Sequence, residues 1–201
     1  MAFTIVSFYT VGTVYAEVAH QYLMPSIQKL QLKSDIRGIL SLGSWQKNTS
    51  YKPKFILEML DHGLNDLVFV DSDATITTYP ELFDKIPSNF DFAVHTLDKN
   101  AWYGLDYGQD KYELLTGTLF VRNNQRARKI LNLWIQNCEN TTMWEQRVLQ
   151  NLVEEYEIPI YPLPLGYCYI NSLPDGTKPR IKIDNPTIIH HQVSRKYKNL
   201  V

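Results

Sequence analysis

Two hydrophobic periods alternate along this chain. Short β-rich apolar runs are separated by longer stretches in which apolar residues recur every three or four positions. FTIVSFY (residues 3–9) predicts a first strand. In VYAEVAHQYLMPSIQKL (14–30), Val14, Val18, Tyr22, Ile27 and Leu30 fall near one helical face. Pro25 should kink that helix or start a new turn. DIRGILSL (35–42) predicts a second strand. KPKFILEMLDHG has Pro53 at its start and Gly63 at its end, the favoured asymmetry of a helix. DLVFV (66–70) is apolar on both faces, as in a parallel strand covered by helices, and DFAVHTL (91–97) reads as a fourth strand.

The second half is less regular. Residues 98–112, DKNAWYGLDYGQDKY, lose the periodicity and predict a loop or lid. YELLTGTLFVRN (112–123) is strand-like, and NQRARKILNLWIQNC is helical. A further helix is expected from TTMWEQRVLQNLVEEY, with Val148, Leu149, Leu152, Val153 and Tyr156 on its apolar side. Pro-punctuated strands and loops follow and lead to TIIHHQVSRKYKNLV. The alternation predicts an α/β fold, one mostly parallel sheet flanked by helices and joined by right-handed crossovers. In such sheets a ligand sits outside the carboxyl ends of the strands. No repeat or linker divides the chain, so a single domain over 1–201 is expected.

Composition narrows the function. The 201 residues are 44% hydrophobic and 20% charged, enough for a sizeable core. A formal net charge of −1 argues against binding driven by bulk charge, whether to nucleic acid or membrane. No apolar run approaches the roughly 18 residues of a membrane span. MAFTIVSFYT lacks the basic region of a secretory signal and reads as a strand. Cys138 and Cys168 have no metal-ligand spacing, so reduced thiols in a cytoplasmic protein are expected over a disulfide.

The chemistry concentrates in LVFVDSDATI (67–76), where an apolar strand runs into Asp71 and Asp73. Two close carboxylates repel unless a cation, a proton or donors hold them. A plain strand end followed by a turn cap is the simplest account of the pair. A calcium loop beginning at Asp71 would need Gly at its sixth position and Glu at its twelfth, and these hold Ile76 and Leu82. DSDAT also resembles the Asp-x-Asp-x-Thr of haloacid-dehalogenase-type phosphatases, with Ala74 in place of the usual Gly. That motif normally lies on a first strand, and no convincing later acidic pair follows here.

A wider set of segments resembles another family in the right order. SFYT, GSWQKNTSYKPKFILEML, VFVDSDATITTYPELF, LLTGTLFVRNN, WEQRVLQNL, the group Leu163, Pro164, Tyr167 and Cys168, and IIHHQVSRKYK together look like a small nucleotide-diphospho-sugar transferase. The resemblance covers nearly the whole chain. It implies a Rossmann-like GT-A fold, a nucleotide-binding half over 1–97 and an acceptor and sugar half over 98–201. It further implies a glycosyltransferase, hexosyl- or pentosyl-, using a UDP-sugar more readily than a GDP-sugar. Mn²⁺ or Mg²⁺ is the implied cofactor, since hard oxygen ligands suit such cations. The acceptor is open among a glycan, a protein, a lipid-linked sugar and a modified DNA base. A phosphatase, or a sugar-nucleotide-binding protein without turnover, stays as the alternative.

The resemblance also suggests residue roles. Asp71 and Asp73 would bind the metal, with Asp71 and Ser72 also near the ribose or diphosphate. His190 or His191 would be a further ligand; His190 is favoured as the first position after an apolar strand, and a surface or core histidine is the plainer account. Arg195 and Lys198, with Ser194 weaker, could fold over the phosphates, or belong to a solvated basic tail. Tyr9 and Thr10 would meet the nucleobase, although Tyr9 could simply be core. Lys52 would lie near the nucleotide; otherwise it faces solvent at a helix start, where a cation is mildly unfavourable. Thr116 and Gly117 would let backbone approach the donor sugar, or mark a strand bulge. Glu145 and Gln146 would sit near the reacting sugar as the catalytic pair. Thr142 and Glu145 can instead be read as a capping box. Trp102, Tyr103 and Tyr107 would offer stacking faces to a sugar, or pack the 98–112 loop down.

Overall fold

The computed structural model describes residues 3–63 and 65–197. Its central sheet has six strands: β1 (Phe3–Thr10), β2 (Ser34–Ile39), β3 (Asp66–Val70), β5 (Phe92–Asp98), β6 (Tyr112–Val121) and β7 (Ile160–Pro162). Their order is β2-β1-β3-β6-β5-β7. Only β6 runs against its neighbours, β3 and β5; the other pairs are parallel, which makes the sheet mostly parallel. A smaller sheet joins β4 (Ala74–Ile76), β9 (Ile188–His190) and β8 (Tyr169–Ile170), in the order β4-β9-β8.

Alternation along β3 sends its side chains to both faces of the sheet. Leu67 and Phe69 join Phe55, Met59, Leu131 and Trp134 in one cluster. Val68 and Val70 join Ile5, Leu23, Ile27 and Phe120 in the other. The first cluster lies under α4 (Lys52–Asp61), α6 (Gln125–Glu139) and α7 (Glu145–Glu155). Burial on both faces is why this strand reads as continuously apolar.

The helix expected over 14–30 is two helices, α1 (Val14–Gln21) and α2 (Leu23–Lys29). They break at Tyr22 (φ −113°, ψ −66°), which leaves Pro25 in the first turn of α2, where a missing N–H costs nothing. α4 begins with Pro53 in its first turn and gives way to Gly63 at φ +71°, a left-handed position suited to glycine. A helix that the pattern did not reveal, α3 (Trp45–Ser50), precedes it, capped by the Ser44 hydroxyl accepting from Lys47 N at 3.2 Å.

Two expectations are corrected. α7 starts at Glu145 behind an N-cap Trp144 that makes no side-chain bond, so Thr142 and Glu145 form no capping box. The 98–112 segment is partly ordered as α5 (Lys99–Tyr103), capped by Asp98 accepting from Ala101 N at 3.0 Å and ended by Gly104 at φ +71°. Trp102 is fully buried among Leu97, Leu115, Cys168 and Ile170, so it packs the segment down and offers no face to a ligand.

Candidate active site

Strand register assembles the site. Asp71 follows β3, and its N–H donates to Gly117 O on β6 at 2.8 Å. Asp73 immediately precedes β4, whose antiparallel pairing with β9 sets Ala74 opposite His190. The chain after β9 closes over the same aspartate: Val193 N donates to Asp73 Oδ2 at 2.8 Å, and His191 N to Asp73 O at 3.1 Å.

Asp71, Asp73 and His190 thereby offer ligand atoms that all lie within 4.8 Å of one another. His190, only 1% exposed, ends β9 rather than following it. Its Nε2 lies 2.8 Å from Thr118 Oγ1, leaving Nδ1 to face Asp73 Oδ1 at 3.9 Å. Burial pushes its pKa down to about 4, so the imidazole is neutral and its lone pair available at neutral pH. Burial and the charge of Asp71 raise the Asp73 carboxyl to about 7. This is the conflict between neighbouring carboxylates that the sequence posed, and a hard cation would relieve it.

Gly117 makes the close approach possible. A Cβ there would fall 2.9 Å from His190 Cε1 and 3.0 Å from Asp71 Oδ2. The β5–β6 register also jumps, from Val94 opposite Leu119 to His95 opposite Leu115. Residues 116–118 therefore bulge out of the ladder with β5. The bulge and the approach to the site are one feature.

His191 points elsewhere, correcting the expectation that it could share the ligand role. Its ring nitrogens lie 2.9 Å from Thr75 Oγ1 and 2.9 Å from Asn171 Nδ2, and its ring stacks on Tyr22 at 4.1 Å. The two rings leave the backbone on opposite sides, His190 toward Thr118 and Asp73 and His191 toward Thr75 and Asn171.

Lys52 is buried, not solvent-facing. Its Nζ lies 2.9 Å from Glu145 Oε1 and 3.2 Å from Asp71 Oδ1, and it donates to Thr116 Oγ1 at 3.2 Å. Burial alone would lower its pKa, but the two carboxylates outweigh that and hold it well above the usual range. Thr116 Oγ1 donates to Glu145 Oε1 at 3.1 Å, and Thr116 N donates to Gln146 Oε1 at 3.0 Å. Gln146 Nε2 in turn donates to Glu113 Oε1 at 2.7 Å.

This network forms one wall of a cavity of ≈ 460 Å³. Tyr9 and Thr10, at the carboxyl end of β1, line it with Asp71, Ser72 and Asp73. Thr116, Glu145 and Gln146 line it as well, as do Ser194 and Arg195 from α8 (Ser194–Tyr197). Arg195 is half-buried, donates to Ser172 O, and has its pKa lowered by burial. Lys198 lies outside the described residues.

The cavity also uses residues that the sequence did not single out, among them Tyr15, Trp45, Glu113 and Trp144. Burial and the charge of Asp73 push the Tyr15 phenol up to about 12. Trp45 sits on α3, which Ser44 at a cap position could have signalled, and its ring meets Trp144 edge-on at 6.3 Å. Glu113 was legible only as a lone charge in an apolar strand.

The fold is that of GT-A glycosyltransferases, and the Asp71–Asp73 pair with His190 fits the DxD motif of that fold. No protein-family model and no curated protein matches the sequence. Among solved structures, a glycosyltransferase involved in glycosylation of the major capsid of PBCV-1 superposes with a TM-score of 0.66 at 17% identity, over 100% of both chains. Mouse xyloside xylosyltransferase 1, in its apo form, gives 0.60 at 9% identity, over 96% of this chain and 98% of that one. The bifunctional glycosyltransferase WbbM gives 0.65 at 12% identity, over 95% of this chain and 46% of its own. Among the described residues no helix is long and apolar enough to cross a membrane.

Proposed function

We propose that this protein transfers a hexose or pentose from a nucleoside-diphosphate sugar, with UDP as the nucleotide, to an acceptor hydroxyl. Residues 1–97 would bind the nucleotide, and 98–201 the sugar and acceptor. The observation that carries the reading is the Asp71, Asp73 and His190 cluster, with ligand atoms within 4.8 Å, beside a cavity of ≈ 460 Å³ at the carboxyl ends of the strands. Two carboxylates and a neutral imidazole suit Mn²⁺ or Mg²⁺. A divalent ion held by them supplies neutralising charge to the departing diphosphate.

The chain's own residues account for the rest. Tyr9 and Thr10 offer a ring face and a hydroxyl to the base. Arg195 lines the cavity and offers N–H donors to phosphate oxygens. Glu145, whose Oε1 lies 2.9 Å from Lys52 Nζ, is held in place beside the reacting sugar. In transfer, the acceptor oxygen bonds to the anomeric carbon, the carbon–oxygen bond to the diphosphate breaks, and the proton leaves the acceptor for solvent or the diphosphate. Cys138 and Cys168 are both free thiols, in keeping with a reducing, cytoplasmic setting.

Isothermal titration of UDP, GDP, CMP and TDP, each with and without Mn²⁺, tests this reading. Mn²⁺-dependent binding of UDP, lost in Asp73→Asn, is expected. Failure of every nucleotide to bind would sink it.

A further inference from the structure

A second, larger cavity of ≈ 580 Å³ adjoins the first. Tyr103, Glu113, Trp144, Gln146 and Pro174 line both, so one wall separates the two spaces. We propose that this second cavity is the acceptor site and takes the end of a neutral oligosaccharide. The proposal deepens the transferase reading and rests on it for the word acceptor.

Three observations select that chemistry over the others open to such an enzyme. The first is aromatic surface: Tyr103 and Tyr107 lie 5.8 Å apart at 50° and, with Trp144, present ring faces of the kind that cover the apolar faces of sugars. Trp144 is 53% exposed, so its ring is open to a ligand in the cavity.

The second is charge. Both cations of the cavity are already spoken for: Lys99 Nζ lies 2.6 Å from Asp110 Oδ2, and Arg147 Nη2 lies 2.5 Å from Asp110 Oδ1. Lys99 also sits over the Tyr107 ring, at 4.7 Å from its centre. Asp175 and Glu113 add negative charge, so nothing in the lining favours a phosphate, a nucleic-acid backbone or a uronic acid.

The third is polar pattern. Glu113, Gln146 and Gln150 form a row along β6 and α7, each already oriented. Gln146 Nε2 donates to Glu113, and Gln150 Nε2 lies 2.9 Å from Glu154 Oε1 and 3.2 Å from Tyr112 O. Gln150 Oε1 accepts from Leu114 N and Gln146 Oε1 from Thr116 N, so these amides fix the wall, and the half-buried Glu113 carboxylate with the second N–H of Gln146 is the polar edge left beside the ring faces for a hydroxyl-rich ligand. The shared position of Glu113 and Gln146 puts the acceptor's terminal hydroxyl next to the donor sugar.

The test uses the full chain with UDP and Mn²⁺ on a surface carrying neutral oligosaccharides, sialylated and uronic-acid glycans, lipid-linked sugars, peptides and DNA. UDP affinity is measured separately by titration. Binding to neutral oligosaccharides is expected, weakened at least tenfold in Tyr107→Ala and restored in Tyr107→Phe, with UDP affinity unchanged in both. Preference for anionic glycans, peptide, lipid or DNA would overturn the assignment. So would binding indifferent to Tyr107→Ala, or UDP binding without saccharide binding. Saccharide binding without UDP binding would instead remove the transferase reading and leave a saccharide site standing.

Discussion

Replacing Lys52 by methionine should show what holds the site together. The ammonium is 5% exposed and lies between Glu145, 8% exposed, and Asp71, 40% exposed. Removing one partner of a buried pair costs about 3–5 kcal/mol, because the remaining charge loses its compensation without regaining water. Glu145 is nearly as buried as the lysine and should incur most of that cost. Asp71 is open enough for solvent to screen its share, so the lower end, about 3 kcal/mol, is expected. For a chain of this size that lowers Tm by about 6–12 °C. Thermal unfolding followed by circular dichroism, without nucleotide or metal, measures it. Lys52→Met/Glu145→Gln should recover at least about 1 kcal/mol of the loss, since an amide leaves no buried charge behind. A single variant within about 1 kcal/mol of the parent, or a double variant no better than the single, would refute the reasoning.

Gly117→Ala should cost about 1–3 kcal/mol by overpacking, and Mn²⁺ affinity, read by titration, should fall about tenfold or more as the new methyl separates Asp71 from His190. His190→Ala should abolish Mn²⁺ binding, whereas His191→Ala should lower Tm while leaving Mn²⁺ affinity within about threefold, since His191 bonds Thr75 and Asn171 instead. The contributions of Asp73 and His190 to the stability of the metal-free protein should nearly cancel between about pH 4.5 and 6.5, because their titrations oppose each other there. Folded Asp73, raised to about 7, holds a proton that the unfolded chain has released, so its contribution declines as pH rises. Folded His190, lowered to about 4, refuses a proton that the unfolded chain binds, so its contribution grows as pH rises. Asp73→Asn should therefore unmask stability rising with pH, and His190→Gln stability falling with it, each by up to about 1.4 kcal/mol per pH unit; equal slopes in both variants would contradict this.

Much of the fold was readable because its signals were local. The apolar run of β3, the Pro53 and Gly63 ends of α4 and the interruption signalled by Pro25 each depend on a few neighbouring residues, although the break itself falls at Tyr22. The reversal of β6 was not, since strand direction depends on a partner far along the chain. The short α3 was hidden because its amphipathic pattern is too brief to register beside the longer helix that follows. At the site, Asp71 and Asp73 stood out by type and spacing. The burial of Lys52 did not, because nothing in SYKPKF shows that Glu145 and Asp71 will surround it. His190 and His191 were indistinguishable by composition; only the pairing of β9 with β4 decides which ring turns inward.

That pairing has a consequence in time. The segment that completes the aspartate pair lies about 120 residues further along the chain, where Val193 meets Asp73. At about 5–20 residues per second of synthesis, a nascent chain carries its two aspartates for about 6–24 s before the histidine and the closing tail exist. A ribosome-bound chain that has folded β1, β2 and β3 therefore holds half a site. The three ligand-type side chains come together only once β9 has paired with β4, however early the aspartates are made.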